Sequence, residues 1–88
     1  MRVVHYLHSR DVTHYIGRPS IYGNPFKIDA YNDRDTVIRQ YETYARVKPR
    51  VLAAIRSLPE DAVLGCWCYP KSCHGDVIIK FWKEMHGK

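Results

Sequence analysis

Three cysteines and a histidine fall close together in Gly65-Cys66-Trp67-Cys68-Tyr69-Pro70-Lys71-Ser72-Cys73-His74-Gly75-Asp76, and no cysteine lies elsewhere. The apolar run Ala62 to Cys68 reads as a buried strand. A helix is expected from about Cys73 or His74, so the segment is a strand, a short loop and a helix start. Open parallel sheets bind ligands at the carboxyl ends of their strands. A helix start adds unpaired N–H groups and partial positive charge, which suit an anion. Gly75 would let a ligand approach the backbone, and Lys71 would add charge. A thiol at such a helix start is expected to titrate low, which makes Cys73 a nucleophile. His74 beside it would act as acid, base or ligand, and Asp76 would orient His74 or cap the helix. Cys73, His74 and Asp76 are thus the catalytic candidates, and Cys68, Lys71 and Gly75 the ligand-binding ones. Cys66 reads as a small core residue.

The rival chemistry is metal binding, because Cys66, Cys68, Cys73 and His74 are a legitimate zinc ligand set. Spacing argues against it. Residues i and i+2 of a strand stand about 6.5–7 Å apart on one face. Tetrahedral zinc holds its sulfurs within about 4 Å of one another. Other signatures fail. The sixth residues after Cys66, Cys68 and Cys73 are Ser72, His74 and Ile79, so the arginine of a cysteine phosphatase is missing. There is no Cys-x-x-Cys, and no Pro-Cys pair of the zinc deaminases.

A second segment suits a ligand. Gly17-Arg18-Pro19-Ser20-Ile21-Tyr22-Gly23-Asn24-Pro25-Phe26 holds two glycines and two prolines, which exclude a regular element. A long shaped loop in a small domain usually has a role. Arg18 could clamp a phosphate or carboxylate with both arms of its guanidinium. Asn24 either binds a ligand or shapes the Gly23-Asn24-Pro25 turn. Gly17 and Arg18 complete the ligand-binding set.

Both segments need a scaffold. Residues 2–7 are β-branched and aromatic and read as a first strand, with Tyr15-Ile16 a short extended piece. Asn32 or Asp33 caps a helix over about 33–46, whose apolar face is Val37, Ile38, Tyr41, Tyr44 and Ala45. Pro49 opens a second helix with a stripe of Val51, Leu52, Ile55 and Leu58. The last helix turns Ile78, Phe81, Trp82 and Met85 inward, and His86 falls in a fraying tail. Trp67 alternates with its cysteine neighbours and is expected to enter helix packing from the opposite face of its strand. The fold class is α/β: a small, mainly parallel sheet of two to four strands with three helices packed on it, the two main strands central.

The 88 residues make a single domain, 1–88, with a thin core. The net charge of +5 is uneven: residues 1–50 carry nine basic and five acidic side chains, residues 51–88 five and four. The N-terminal half is therefore the anion-facing half, suited to phosphorylated ligands or polyanions. An odd, local cysteine cluster is a poor disulfide framework and favours a reducing compartment. No apolar run approaches a membrane span, and Met1 leads into polar residues rather than a signal sequence.

The blocks Tyr15-Ile16-Gly17-Arg18-Pro19, Gly23-Asn24-Pro25-Phe26, Arg34 to Tyr41, Leu64-Gly65-Cys66-Trp67-Cys68 with Pro70, and Cys73-His74-Gly75-Asp76-Val77 are together quite specific. Over about residues 15–82 the chain resembles a small phage and bacterial family known as domain of unknown function 4326. The resemblance implies a phage or prophage source and, with it, a cytoplasmic setting. It names no ligand. The residues themselves lead to one expectation and one alternative. The first is a domain that binds, with or without a reaction, a nucleotide or other phosphorylated small molecule between the Gly17–Phe26 loop and the Cys66–Asp76 segment. The alternative is a zinc-stapled, non-enzymatic module that binds a host protein or nucleic acid.

Overall fold

Val63-Leu64-Gly65-Cys66 carries no polar side chain and is buried along its whole length. A strand of this kind can lose water on both faces, and it takes the middle of the sheet. The computed structural model describes residues 1–87. Its elements run β1 (Arg2–His5), β2 (His14–Tyr15), α1 (Arg34–Arg46), α2 (Pro49–Arg56), β3 (Val63–Cys66) and α3 (Gly75–His86). The strand order is β1-β3-β2, with both pairings parallel. The α/β class, the parallel sheet and the three helices are as the residues imply. One placement differs: β1 is an edge strand. Only Val4 of its four residues is fully buried, and Arg2 stays exposed, so it cannot be enclosed by two neighbours.

The strands also end early. β3 was expected to reach Cys68 but stops at Cys66, because His5 pairs with Cys66 and Tyr15 with Gly65, after which both neighbours have ended. Trp67 and Cys68 have left the sheet. Trp67 does not enter helix packing; it is 51% exposed. Leu64 and Cys66 share one core cluster with Tyr41 and Ala45 of α1, Val51 and Ile55 of α2, and Ile78 and Phe81 of α3. The face carrying Gly65 is covered instead by Tyr6 and Val12. Trp67 joins that side, with its ring 5.5 Å from Tyr6 and its Nε1 donating to the Tyr15 hydroxyl at 2.9 Å.

Each helix forms for a local reason. The Asp33 carboxylate caps α1 by accepting from the Thr36 amide at 2.8 Å, and Val37, Tyr41 and Ala45 are buried. Pro49 opens α2, which buries Val51 and Ile55. Helix α3 buries Val77, Ile78, Phe81 and Trp82, and the Trp82 indole donates to the Leu58 carbonyl at 2.8 Å. His86 is no fraying tail: it stacks on Trp82 at 4.1 Å, with Nε2 3.0 Å from the Arg56 carbonyl. Among the described residues, no helix is long and apolar enough to cross a membrane.

Gly75 sets how closely α3 approaches the sheet. A Cβ there would lie 2.7 Å from Val3 Cγ2 and 3.0 Å from Ile16 Cδ1. Overfilling a packed site costs about 1–3 kcal/mol. Gly75→Ala should therefore lower the urea midpoint by the equivalent of roughly that amount. An unchanged midpoint would show that the helix has room to move away.

Candidate functional site

A cleft of about 560 Å³ opens where β2 and β3 end. Its walls are the Gly17–Phe26 loop with Lys27 and Ile28, the first turns of α1 (Arg34, Val37, Ile38), and the segment from Cys66 to His74. The two segments singled out from sequence thus meet across one space. Arg18, Lys27 and Arg34 lie on its lining, and no Asp or Glu does. All three cations come from the N-terminal half, where the basic excess lies. Tyr15, Phe26 and Trp67 supply aromatic surface.

The loop is held to the helices by its own polar groups. Tyr22 donates to the Ala54 carbonyl at 3.2 Å, and the buried Tyr41 hydroxyl donates to the Tyr22 carbonyl at 2.9 Å. Asn24 is used structurally. Its Oδ1 accepts from the Phe26 amide at 2.9 Å, closing a turn, and its Nδ2 donates to the Val37 carbonyl at 3.1 Å. Gly17 makes room for the Tyr15 side chain, which would lie within 2.5 Å (Cζ) of a Cβ there; the Tyr15 hydroxyl donates to the Arg18 carbonyl at 3.0 Å. Arg18 remains exposed, and its charge is felt at His74. Arg34 donates to the Ser72 carbonyl at 3.1 Å, which ties α1 to the cysteine loop.

Cys66 and Cys73 lie with their sulfurs 3.2 Å apart, and both are buried. Cys73 is not an exposed, low-titrating thiol at a helix mouth. Its hydrogen bond with Cys66 and its burial, at only 4% exposed, both push its titration up. Cys66 is drawn below the ordinary thiol range, first by the Cys73 hydrogen bond and further by the backbone N–H groups of Cys68 and Tyr69, against the opposing effect of burial. Cys68 is half-buried on the cleft lining, and its carbonyl accepts from the Lys71 amide at 2.8 Å.

The start of α3 is closed to an anion at its first amides. The Gly75 N–H meets Cys73 Sγ at 3.3 Å, and the Asp76 N–H meets the Cys73 carbonyl at 3.1 Å. Gly75 is buried against Val3 and Ile16, so its missing side chain serves packing. Lys71 and Asp76 are exposed and lie off the cleft lining. His74 lines the cleft but faces inward, with Nε2 2.7 Å from the Ile16 carbonyl and its ring edge-on to Tyr41 at 4.9 Å. Among the described residues no group of three or more His, Cys, Asp and Glu side chains is arranged to hold a metal ion. Arg34, Lys27, Val37 and Ile38 were not singled out as ligand contacts. The helix period of α1 marks Val37 and Ile38 as core, and only the loop folding back over α1 turns its first turns into a wall.

Burial lowers the His74 titration, outweighing the Ile16 carbonyl that favours its protonated form. An unfolded histidine titrates near about 6.5. Below that pH the unfolded chain binds the extra proton and the folded one does not, so stability is complete above it and falls as pH drops toward the lower folded value. The slope limit is about 1.4 kcal/mol per pH unit. Urea unfolding at pH 7.5 and 5.5 should show the native chain weakening at the lower pH, and His74→Gln should flatten that loss. Equal slopes in the two proteins would remove His74 as its source.

The chain was compared with known proteins. No curated protein and no solved structure matches it. A family model does, over residues 4–84, and it spans both walls of the cleft. The chain belongs to the family described as domain of unknown function (DUF4326).

Proposed function

We propose that this domain binds a nucleotide or another phosphorylated small molecule in the cleft between the Gly17–Phe26 loop and the Cys66–His74 segment. One observation carries this reading: three cationic side chains line the cleft, carboxylates are missing from its lining, and apolar and aromatic surface lies beside the charges. Small-molecule sites of about 300–1,000 Å³ usually combine apolar walls with a few placed polar groups, and this cleft has that size and make-up. Arg18, Lys27 and Arg34 would hold the phosphate, with arginine forks suited to its paired oxygens. Val37, Ile38 and the ring of Phe26 or Trp67 would receive the apolar part. Because Cys73 occupies the first amides of α3, side-chain cations rather than helix N–H groups would carry the charge recognition.

Calorimetric titration with a panel of nucleoside mono- and diphosphates and their parent nucleosides tests this. At least one nucleotide should bind measurably, its nucleoside far more weakly, and its affinity should fall with added salt. Charge-assisted hydrogen bonds contribute about 1.5–3 kcal/mol, so Arg18→Gln should weaken binding roughly tenfold or more. Nucleoside and nucleotide binding alike, or an Arg18→Gln protein with unchanged affinity, would sink the reading.

A further inference from the structure

Anion recognition leaves one feature of the cleft unused: two thiols in contact on its lining. Cys66 ends β3 and Cys73 immediately precedes the residue that caps α3, so the pair bridges two elements through a six-residue loop. Their sulfurs lie 3.2 Å apart, while a disulfide bond is about 2.05 Å long, so closing it takes roughly an ångström of travel. Both line the cleft, which gives a small solute a path to residues that are otherwise 1% and 4% exposed. The environment is asymmetric. Cys66 has the Cys73 hydrogen bond and the backbone N–H groups of Cys68 and Tyr69 around its sulfur, which favour its anion. Cys73 accepts from one backbone amide, that of Gly75 at 3.3 Å, and burial and its Cys66 neighbour push its titration up. One sulfur is prepared to attack and the other to follow.

We propose that Cys66 and Cys73 form a peroxide-oxidised dithiol, with Cys66 the attacking sulfur and Cys73 the resolving one, and that oxidation closes a disulfide on the floor of the cleft. In the first step the Cys66 thiolate attacks one oxygen of hydrogen peroxide. The O–O bond breaks, the far oxygen leaves as hydroxide and takes up a proton to become water, and Cys66 becomes a sulfenic acid. In the second step the Cys73 sulfur attacks the Cys66 sulfur. The S–O bond breaks, and the departing hydroxide takes the Cys73 proton and leaves as a second water. The two thiols together lose two electrons and two protons, and the peroxide is reduced to two waters. A dithiol reductant reverses the change by exchange. Cys68 takes no part.

The test is stoichiometric hydrogen peroxide added to the full chain, followed by alkylation and peptide mapping. Two of the three thiols should disappear together, a linked Cys66–Cys73 peptide should appear, Cys68 should stay alkylatable, and dithiothreitol should restore all three. Cys68→Ser should behave as the native chain does. Cys73→Ser should stop at a Cys66 sulfenic acid that dimedone captures; if that variant fails to fold, mapping of the native chain and Cys68→Ser still decides. Oxidation that begins at Cys68, a bond between two chains, or thiols that react only after a chelator strips a metal would each overturn the proposal.

Discussion

Three consecutive residues each dock on a different strand. Cys73 hydrogen-bonds with Cys66 at the end of β3, His74 reaches the Ile16 carbonyl just after β2, and Gly75 packs on Val3 of β1. This junction is where the last helix meets the sheet, and the rest of the small core is arranged around it. Each contact is of a different kind: a shared thiol proton, a hydrogen bond from a buried neutral imidazole, and the close approach that an absent Cβ permits. An 88-residue chain has little core to spare. Concentrating polar satisfaction and close packing in one tripeptide lets a three-stranded sheet hold three helices in register.

The cleft follows from the same junction. Because the strands all end near Cys66, the chain must leave the sheet there, and the Gly17–Phe26 loop leaves it beside them. The loop folds back toward the helices, pinned by Tyr22 and Asn24, and Arg18 on it and Lys27 just after it line the cleft together with the cysteine segment. Trp67 and Tyr15 brace the opposite rim through the indole–hydroxyl bond, with Tyr6 against both rings. Cationic side chains thus come from one half of the sequence and the cysteines from the other, brought together on one cleft by parallel strands whose carboxyl ends point the same way.

The ion pairs on the outside contribute little to this arrangement. Lys80 and Arg46 both reach Glu42, and Arg46 also reaches Glu84, linking α1 to α3, but these side chains are substantially exposed. Pairs of that kind contribute about 0–1 kcal/mol and weaken with salt. The helices are held instead by the apolar stripes of Tyr41, Ile55, Ile78 and Phe81, which are almost wholly removed from water.

Much of this was legible in the chain itself. Asp33 as a cap, Pro49 as a helix start and the apolar period of α1 and α3 are local properties, and local properties survive folding. So did the parallel sheet, because strands joined through helices have little alternative, and the glycine-proline loop and the cysteine segment line one cleft. What sequence alone assigned otherwise depends on partners distant in the chain. Where β3 ends is decided by where β1 and β2 end. Whether Trp67 is buried is decided by which face the helices choose. How the two thiols titrate is shaped by a hydrogen bond across 3.2 Å between residues seven apart, and no helix-start rule contains that neighbour. Sequence by itself determined the elements and the two segments that line the cleft; only the tertiary structure added the first turns of α1 to its walls and turned Lys71 and Asp76 away from it, because burial and hydrogen bonds are settled by contacts between elements and not within them.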